Sequence, residues 1–527
     1  MKSQTIKEML ENSYNNYPNN IAFYEKVNNT YEGITYKQLY EDVIAFSNSL
    51  VKQGLEGKNI AVIGKNSYEW AVAYLATMNG LGTIVPLDKE LTKEELEKSL
   101  NRLEIGALVY SKDQAHKIDD SKYNTIKMET EMYEMIEEGK KYGNLLKNKK
   151  VDPKETKVLL FTSGTTSESK IVMLSNENIM YNINTSHQYA HVDETDRFYS
   201  VLPMHHTLEG TGGFLLPLER GASVIHLDNL KNVSKDMKTM KPTIIIGVPR
   251  VIDLFDKKIV KEIEKKGKTK LVKYATMIGN VVPPLKKRLF KDIYEGLGGK
   301  LKTIIVGGAP ANPNAIKRLK GYGFNIIEGY GLTECAPLVA ANSKKYFKLG
   351  SVGKKLNGTD VKIVNQNDDG VGEIAVKGPQ VFNGYYENEE ATNNAFDKDG
   401  YFLTGDLAFM DKKGYIDIKG RSKNVIITSN GKNVYPEEIE EIIKENDIIR
   451  QAVVSQKDNK IVVDLVLRED IIEKMKNNPK INEEVTKIIK EYIHEVNERI
   501  SDYKRIQKIE FREVPFEETS TLKIKRK

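Results

Sequence analysis

Short apolar runs alternate with helical periods through the first part of the chain. Four of these runs are NIAVIG (59–64), TIVPLD (83–88), TIIIGVPR (243–250) and KTIIVGGAP (302–310). Between the first two, Ser67 is a suitable N-cap for a helix through YEWAVAYLATMNG. Strands that alternate with helices in this way are typical of right-handed crossover units. The pattern therefore predicts parallel sheets in an α/β fold.

The pattern changes after about residue 345, where short alternating segments are separated by closely spaced turns. VKIVNQNDDGVGEIAVKG and DKKGYIDIKGRSK have Asp-Gly and Lys-Gly at their bends and predict β-hairpins. Beyond residue 424, Pro436 opens a predicted helix with Ile439, Ile442 and Ile443 on one face. A later helix has the same spacing and predicts core positions at Val485, Ile488, Ile489, Tyr492, Ile493 and Val496. A β-rich segment followed by a compact α+β unit is therefore expected.

Length and composition indicate a globular protein with several packing units. The 527 residues predict three or four units at roughly 100–200 residues per domain. Apolar residues at 39% and charged residues at 29% are typical of a folded chain. No apolar run approaches the roughly 18–20 residues that span a membrane, and the N-terminal MKSQTIKEMLENS lacks the apolar core of a secretory signal. The single cysteine, Cys335, excludes an internal disulfide framework and indicates a reducing cytoplasm.

Basic and acidic side chains are nearly balanced, 80 against 74, which gives a net charge of +6. Because the charges are mostly interleaved, they favour a solvated surface, and no nucleic-acid partner is predicted. One lysine-rich stretch, residues 257–302, can contact an anionic membrane surface. The acidic residues interspersed in it favour an ordinary solvated helical face instead; they are Glu262, Glu264, Asp292 and Glu295.

The segment VLLFTSGTTSESKIVMLSNENI (158–179) places a run of small and hydroxyl residues between two ordered elements. VLLF is a predicted strand, and Ser175 is a suitable N-cap for a helix that begins NENIMYNI. The loop between them offers backbone N–H groups, hydroxyls and the ammonium group of Lys170, and Gly164 permits close approach of the backbone to an anion. These features favour phosphate binding over a plain turn.

Other interpretations of this loop fail because residues are missing. A Walker phosphate loop needs a second glycine before the lysine, where this chain has Ser169. SESK (167–170) matches the S-x-x-K of serine acyl-transferases, but their S-D-N and K-T-G segments are not in the sequence. G-x-S-x-G is absent as well. A nucleophilic serine is therefore not predicted.

Three segments in this order resemble the AMP-forming adenylating superfamily of acyl-CoA synthetases, peptide-synthetase adenylation domains and luciferases. They are TSGTT (162–166), IIEGYGLTEC (326–335) and YFLTGDLAFMDKKGYIDIKGRSKNVI (401–426). The resemblance runs from ITYKQL (34–39) to the C-terminal lysines. Further segments are most similar to the long-chain fatty acyl-CoA synthetases: LPMHHTLEG (202–210), GVPRV (247–251), GGAP (307–310) and GKNVYPEEIE (431–440).

The resemblance implies the arrangement of the domains. A large N-terminal domain of stacked α/β sheets, with a β-rich subdomain, would cover residues 1–420. A hinge would follow at 421–424, centred on Lys423. A small, mobile α+β domain would then cover residues 425–527.

The resemblance also implies a two-step reaction that uses ATP and Mg²⁺. A carboxylate attacks the α-phosphorus of ATP and expels pyrophosphate, and a thiol then attacks the acyl-adenylate and expels AMP. Glu334 and the hydroxyl of Thr162 would bind Mg²⁺ as hard oxygen ligands. The implied site for the departing phosphates consists of Thr162, Ser163, Gly164, Thr165, Thr166 and Lys170.

The remaining nucleotide contacts follow from the same family pattern. Tyr330 would cover the adenine, and Thr333 would contact the α-phosphate. Asp406 would accept hydrogen bonds from both ribose hydroxyls, and Arg421 would reach the ribose or a phosphate. The adenine pocket would be lined by Gly308, Ala309 and Pro310. Neighbouring positions complete the implied site, namely Glu328, Gly329, Gly331 and Ile418.

The C-terminal segment FEETSTLKIKRK is either a disordered basic tail or a catalytic segment. The family carries a lysine in a T-x-T-G-K-like segment here, and Lys523 matches it. Its ammonium group would neutralise charge as the carboxylate approaches the α-phosphate. Leu522 replaces the usual glycine, so the register of Lys523 stays open.

The phosphate loop also departs from the family pattern, at Ser167, Ser169 and Ile171. None of these changes removes a phosphate-binding group.

Histidines offer two further candidates. His187 and His191 lie four residues apart on a predicted helix, but no acidic ligand stands between them, so surface positions are favoured over a metal site. His206 corresponds to a family position at the mouth of the acyl pocket. It is either a substrate-positioning residue or a structural histidine.

The sequence therefore predicts an AMP-forming ligase that joins a medium- to long-chain fatty acid, or another carboxylic acid, to the thiol of CoA. One alternative is a ligase that loads the phosphopantetheine of an acyl carrier protein. Another is a catalytically weak homologue that binds an acyl group or nucleotide; retention of Thr162, Glu334, Asp406, Arg421 and Lys523 argues against it. The expected location is the cytoplasm, with peripheral contact at the inner membrane face left open.

Overall fold

The computed structural model describes residues 2–28, 30–162, 169–227, 232–428, 432–519 and 524–526. The chain forms two compact units. The first comprises Met1–Asp360 and Lys377–Gly400, and the second comprises Val361–Val376 and Tyr401–Thr519 with the last residues of the chain. The predicted α/β fold, with a large N-terminal part and a small C-terminal part, is confirmed.

The strands of the first unit form two sheets. In chain order they are β1 (Ile21–Val27), β2 (Thr30–Thr35), β3 (Asn59–Ile63), β4 (Thr83–Leu87), β5 (Ile105–Tyr110), β6 (Thr125–Lys127), β7 (Thr156–Phe161), β8 (Ile171–Ser175), β9 (Arg197–Ser200), β10 (Ser223–His226), β11 (Ile244–Gly247), β12 (Thr303–Val306), β13 (Asn325–Gly331), β14 (Leu338–Ala341) and β15 (Lys354–Lys355). One sheet has the order β6-β5-β3-β4-β7-β8, and the other β15-β14-β13-β12-β11-β9-β10-β1-β2.

Both sheets are parallel at their centres, as the alternating pattern predicts. β3 runs parallel to β4 and β5, and β11 runs parallel to β9 and β12. The four apolar runs singled out in the sequence are β3, β4, β11 and β12. Every residue of β11 is buried, as expected for a strand covered on both faces. Antiparallel strands occur toward the edges, where β8 pairs with β7 and β14 pairs with β13.

Helices surround and separate these sheets. They are α1 (Ile6–Asn16), α2 (Tyr36–Lys52), α3 (Tyr68–Ala76), α4 (Lys93–Asn101), α5 (Glu131–Gly139), α6 (Asn176–Ala190), α7 (Leu216–Glu219), α8 (Val233–Met240), α9 (Pro249–Lys265), α10 (Thr269–Val281), α11 (Lys286–Leu289), α12 (Lys291–Gly296), α13 (Pro313–Tyr322) and α14 (Glu389–Asn394). The predicted cap of α3 is confirmed, because the Ser67 side chain accepts a hydrogen bond from Trp70 N. α6 contacts β8 of one sheet and the π-helical segment Leu208–Leu215, which packs on β9 and β11 of the other. Within the described ranges, no helix is long and apolar enough to cross a membrane.

The second unit contains the predicted hairpins and the α+β segment. Its elements are β16 (Asp360–Val364), β17 (Gly372–Lys377), β18 (Phe402–Met410), β19 (Ile416–Arg421), β20 (Ile426–Ile427), β21 (Asn433–Val434), α15 (Pro436–Ile443), β22 (Ile449–Lys457), β23 (Lys460–Leu467), α16 (Glu469–Asn477), α17 (Pro479–Arg499) and β24 (Lys508–Phe511). β16 to β19 form one sheet in that order, and β22, β23 and β24 form another. α15 begins at Pro436, as predicted.

One predicted core position in this unit is wrong. α17 buries four of the expected residues, Val485, Ile489, Ile493 and Val496, against the sheet. Ile488 is 46% exposed, because it lies beside the stripe that these four residues form on the helix.

Residues on both sides of the predicted hinge pack together in the second unit. Lys419 of β19 forms an ion pair with Glu438 of α15 at 3.0 Å, and Lys504 contacts the other carboxylate oxygen of Glu438 at 2.8 Å. Residues 422–424 form a short 3₁₀ turn between β19 and β20. The division into 1–420, 421–424 and 425–527 stays a prediction.

Candidate functional site

Four predicted site residues of the first unit lie at the carboxyl ends of neighbouring parallel strands. His206 follows β9, Gly308 follows β12, and Thr333 and Glu334 follow β13. β9, β11, β12 and β13 are consecutive in the nine-stranded sheet, so segments far apart in sequence reach one edge of it. This edge is where open α/β folds bind ligands. The topology thus brings the segments that follow β9, β12 and β13 to one edge of this sheet.

Two glycines shape the backbone at this edge. Gly308 has a φ of +85°, a conformation that favours glycine. A Cβ atom on Gly331 would lie 2.1 Å from the carbonyl oxygen of Pro337, so no larger residue fits there. The residues of the predicted adenine pocket after β12 are exposed, namely Gly308, Ala309 and Pro310. On β13, Glu328 and Tyr330 are buried, and Gly329 pairs with Ala341.

The predicted phosphate loop connects two antiparallel strands. Thr162 N donates to the carbonyl oxygen of Lys170 at 2.9 Å, which continues the pairing of β7 with β8. The expected direct passage from this loop into a helix is wrong, because β8 intervenes. The predicted cap is confirmed one strand later, where Ser175 and Asn178 form a reciprocal capping box at the start of α6. The predicted ligands Ser163, Gly164, Thr165 and Thr166 lie outside the described residues.

A tyrosine joins the phosphate loop to the predicted metal ligand. The Lys170 ammonium lies 4.4 Å from the ring centroid of Tyr385, and the Tyr385 hydroxyl donates to Glu334 Oε1 at 3.0 Å. A further hydrogen bond, from Phe382 N to the Glu334 carbonyl oxygen at 2.9 Å, fixes the backbone there. Tyr385 thus orients both a cation and a carboxylate. The sequence analysis missed it, and only its place in the apolar segment VFNGYY marks it.

The residues around Glu334 have the donor atoms that Mg²⁺ prefers. A carboxylate and a hydroxyl are hard oxygen ligands, and Mg²⁺ is usually held by one or two carboxylates together with substrate phosphates. The hydrogen bond from Tyr385 occupies one oxygen of Glu334 and fixes the plane of the carboxylate. Glu334, with the hydroxyl of Thr162 at the end of β7, therefore fits the predicted metal role.

Asp406 and Arg421 form a second cluster, inside the second unit. Their Cα atoms are in register across β18 and β19, and Arg421 Nε lies 2.8 Å from Asp406 Oδ1. Asp406 is buried, and its backbone N–H donates to Thr404 Oγ1 at 3.1 Å. The carboxylate is therefore held in one orientation with a cation beside it. Ile418 lies on the same strand as Arg421.

Lys523 lies outside the described residues, but the chain on both sides of it is anchored. Glu518 and Ile524 pair in an antiparallel bridge, and Lys525 N donates to the carbonyl oxygen of Glu517 at 2.8 Å. The Arg526 guanidinium donates to both carboxylate oxygens of the buried Glu440, at 2.7 and 2.6 Å. Residues 524–526 are thus held by specific bonds, which does not fit a disordered tail.

His206 belongs to a group that also contains Asp88 and His205. The His205 and His206 rings lie 4.2 Å apart, and His205 Nε2 lies 3.5 Å from Asp88 Oδ2. Within the described part of the chain, these three residues form the one group of histidine and acidic side chains with ligand atoms within 4.8 Å of one another. Asp88 follows β4 and the histidines follow β9, so the group joins the carboxyl ends of both sheets. The contacts restrict the position of the His206 ring.

Asn66 fixes the segment that carries these histidines. Its amide nitrogen donates to Ser200 Oγ at 3.1 Å and to the Leu202 carbonyl oxygen at 2.7 Å. Its amide oxygen accepts from Met204 N at 2.9 Å.

The other two candidate histidines lie on or at the end of α6. His187 is half-buried on that helix, and burial lowers its pKa. His191 is exposed at the end of that helix, as expected for a surface position.

Glu209 is a buried carboxyl group that the sequence analysis did not single out. It lies in the π-helical segment, where a Cβ atom on Gly213 would come within 2.4 Å of its Oε1. Glycine at 213 therefore leaves the space that the Glu209 carboxyl group occupies. Burial raises the pKa of Glu209 to about 8, although the nearby Ser200 hydroxyl opposes part of that rise. The available signal was an acidic residue inside the otherwise apolar and small TLEGTGGFLLPL.

We expect the Glu209→Gln variant to change how stability depends on pH. Because the pKa of Glu209 is raised to about 8 in the folded state, its contribution is fully present below the unfolded pKa and is lost as pH rises toward 8. The free energy of unfolding should fall more steeply between about pH 5 and pH 8 in the parent than in the variant, by up to about 1.4 kcal/mol per pH unit. Urea unfolding at several pH values measures this difference. The exposed Glu194→Gln is the control, and parallel curves for parent and Glu209→Gln would contradict the prediction.

Two family profiles match the chain. The profile of the AMP-binding enzyme matches residues 10–386, and that of the AMP-binding enzyme C-terminal domain matches residues 423–527. Together they include the predicted segments at the sheet edge and the C-terminal lysines.

Similar proteins are found both by sequence and by structure. A long-chain-fatty-acid–CoA ligase of Rattus norvegicus (ACSBG2) is 28% identical over 489 residues, which cover 84% of this chain and 73% of the relative. A chloroplastic long-chain-fatty-acid–[acyl-carrier-protein] ligase of Arabidopsis thaliana (AEE15) is 25% identical over 549 residues, which cover 87% and 75%. The structure of O-succinylbenzoate coenzyme A synthetase (MenE) from Bacillus subtilis, in complex with ATP and magnesium ion, matches with a TM-score of 0.74. That match covers 98% of each chain at 21% identity, and it shows the fold alone.

Proposed function

We propose, from the premise that the chain belongs to the AMP-binding enzyme family, that this AMP-forming ligase joins a medium- to long-chain fatty acid to CoA. In the first step, a carboxylate oxygen attacks the α-phosphorus of ATP, and the bond to the bridging oxygen breaks to release pyrophosphate. In the second step, the thiol of CoA loses its proton and attacks the acyl carbon, and AMP leaves. The products are acyl-CoA, AMP and pyrophosphate.

The residues of the first unit would stabilise the charge that develops in the first step. Lys170, next to the phosphate loop, would bind the departing phosphates, and Thr333 would contact the α-phosphate. Bound Mg²⁺, held by Glu334 and Thr162, would neutralise phosphate charge. Such a reaction needs positioned charges more than a protein nucleophile. No serine or cysteine nucleophile is therefore required.

The observation that carries the proposal is the contact chain Lys170–Tyr385–Glu334. In it the Lys170 ammonium group lies over the ring of Tyr385, and the Tyr385 hydroxyl donates to Glu334, next to the β7–β8 loop. Lys170 would bind phosphate and Glu334 would bind the metal. Adenylation needs these two groups close together, because the departing pyrophosphate is negatively charged and is bound to the metal ion. The cation would stabilise the pyrophosphate, and the carboxylate would hold the metal. A protein that bound only an acyl group would not need them.

The choice of a fatty acid rests on the named relatives. The sequence matches include a long-chain-fatty-acid–CoA ligase over most of the chain. The cluster Asp88–His205–His206 joins the carboxyl ends of both sheets, and His206 would position the carboxylate there. Transfer to a carrier protein is a second candidate, because a relative of similar coverage is named for an acyl-carrier-protein acceptor.

A substrate panel tests the acid and the acceptor. Pyrophosphate release is measured with saturated fatty acids of increasing length, with aromatic acids and with short dicarboxylic acids. Thioester formation then follows with CoA or with a phosphopantetheine-loaded carrier protein. We expect fatty acids to be preferred and CoA to accept the acyl group. A preference for an aromatic or short acid would contradict the proposed substrate, and thioester formation only on the carrier protein would favour the second candidate.

We expect the Lys423→Pro variant to separate the two half-reactions. The proposed mechanism requires the C-terminal segment to turn about residues 421–424, so that Lys523 withdraws before the thiol arrives. Proline fixes φ at about −65° and should hold one arrangement, most readily the adenylating one. Single-turnover pyrophosphate release should stay near the parent rate while thioester formation falls. Lys423→Ala is the control; equal rates in both half-reactions for Lys423→Pro would show that no large rotation occurs there.

A further inference from the structure

Helix α10 presents its large apolar side chains to solvent. Leu271, Tyr274, Met277, Ile278 and Val281 are between 50% and 82% exposed. They recur at the three- and four-residue spacing that places side chains on one face of a helix. An ordinary surface helix turns such a face toward the core. The orientation of α10 is therefore the reverse of the usual one.

Small residues form the buried face of α10. Ala275 and Gly279 are buried, and a Cβ atom on Gly321 of α13 would lie 3.2 Å from the Thr276 methyl group. α10 thus packs closely on α13 through small side chains. The helix is held firmly on one side, while most of its apolar area remains on the other.

The exposed apolar area continues beyond α10. Val282, Leu285 and Leu289, in the next turn and in α11, are each more than a third exposed, and Leu254 of α9 is 59% exposed. We call these residues, together with the five on α10, the α10 surface. Large exposed apolar patches, especially those rimmed by polar residues, mark interaction sites.

The segment that carries the α10 surface, apart from Leu254, has charged side chains of one sign. Residues 265–291 contain no acidic side chain, and their basic side chains are Lys265, Lys266, Lys268, Lys270, Lys273, Lys286, Lys287, Arg288 and Lys291. The acidic residues that favoured an ordinary solvated face in the sequence lie outside this segment. Lys268 and Lys291 pair with Asp292 and Glu295. Within the described part of the chain, seven of the nine make no ion pair, namely Lys265, Lys266, Lys270, Lys273, Lys286, Lys287 and Arg288.

We propose that the α10 surface docks on an anionic lipid membrane, with its apolar side chains at the acyl boundary and its lysines among the headgroups. An amphipathic helix with a basic fringe binds such an interface through buried apolar area and through attraction to anionic lipids. A second copy of this chain is a poorer occupant, because two basic fringes would repel each other. Docking goes beyond the ligase reaction and does not depend on it.

The position of the surface relative to the first unit suits this role. α9 begins at Pro249, directly after β11, whose carboxyl end lies at the ligand-binding edge of the sheet. α9 contacts both α10 and α13. α9 therefore connects the ligand-binding edge of the sheet to the helix that carries the α10 surface. A fatty acid dissolved in the membrane would leave the membrane next to this surface.

Vesicle sedimentation of the full-length protein tests the proposal without any catalytic readout. We expect the protein to bind vesicles of phosphatidylcholine mixed with phosphatidylglycerol and to bind vesicles of phosphatidylcholine alone at least about tenfold more weakly. High salt should weaken the binding. Lys270→Glu with Lys273→Glu, and separately Met277→Asp with Val281→Asp, should each lower partitioning at least about tenfold.

Matched variants keep the test specific. Lys147→Glu with Lys150→Glu, and Val514→Asp, change exposed residues elsewhere and should leave partitioning unchanged. A tryptophan reporter, Val281→Trp, should shift its fluorescence to the blue on mixed vesicles, whereas Val514→Trp should not. Absence of binding to mixed vesicles, equal binding to both vesicle types, or equal loss in the matched variants would overturn the proposal. The proposal would also be overturned if the protein did not bind vesicles but formed a dimer, and if Met277→Asp with Val281→Asp dissociated that dimer. That result would assign the surface to a second copy of the chain.

Discussion

Replacing Lys523 with alanine should lower the rate of acyl-adenylate formation by roughly 10²–10³-fold, the loss that follows removal of one preorganised electrostatic group. The ammonium group would lie between two negatively charged reactants, and alanine supplies no charge to replace it. Thioester formation from pre-made acyl-adenylate should survive, because pyrophosphate is released in the first step, before the thioester forms. Single-turnover measurement of each half-reaction separates these outcomes.

Lys525→Ala is the matched control for this prediction. Both lysines belong to the same short segment, and the backbone of Lys525 is held to Glu517. If Lys525→Ala loses adenylation and Lys523→Ala does not, Leu522 has shifted the register of the catalytic lysine. An equal loss of both half-reactions in Lys523→Ala would also contradict the assigned role.

The second large effect is expected for Asp406→Ala. The variant would remove the proposed acceptor for both ribose hydroxyls, and it leaves Arg421 without the carboxylate that lies 2.8 Å from it. Loss of a charged hydrogen-bond partner should weaken ATP use by about 2–4 kcal/mol. Steady-state kinetics with varied ATP should show this as a raised KM for ATP and a lower kcat/KM.

A neighbouring aspartate provides the control for Asp406. Asp417 lies on β19 and pairs with Lys419 at 3.0 Å, but it is partly exposed and outside the predicted nucleotide site. Asp417→Ala should leave the KM for ATP near the parent value. Unchanged ATP kinetics in a folded Asp406→Ala variant would remove Asp406 from the nucleotide site.

The sequence was sufficient to predict elements whose signals are local. The four apolar runs are β3, β4, β11 and β12, and Ser67 is the cap of α3. Parallel pairing followed from the alternation of strands and helices. The segments that follow β9, β12 and β13 lie at one edge of a sheet for the same reason, since parallel strands share a carboxyl edge.

Contacts between distant segments were not predictable in this way. Tyr385 lies 51 residues from Glu334 in the chain, and no spacing rule connects them. β8 was missed because a short apolar run after a loop is ambiguous between strand and helix. Glu209 is buried only because Gly213 leaves room for its carboxyl group, which depends on how the π-helical segment packs.

The exposed apolar face of α10 was not predictable from the basic stretch for a related reason. Counting charges over residues 257–302 mixed acidic residues with a segment that contains none. Helical periodicity alone also cannot show which face of α10 is buried. The structure places small side chains inside and large apolar ones outside, and that choice depends on α13.

The most direct test of the central claim is the identification of products formed from ATP and palmitate in the absence of a thiol. We expect mass spectrometry to find a palmitoyl-adenylate and pyrophosphate in equal amounts, and palmitoyl-CoA and AMP after CoA is added. Release of ADP with inorganic phosphate, or no turnover of ATP with any fatty acid, would contradict AMP-forming activation of a fatty acid by this chain.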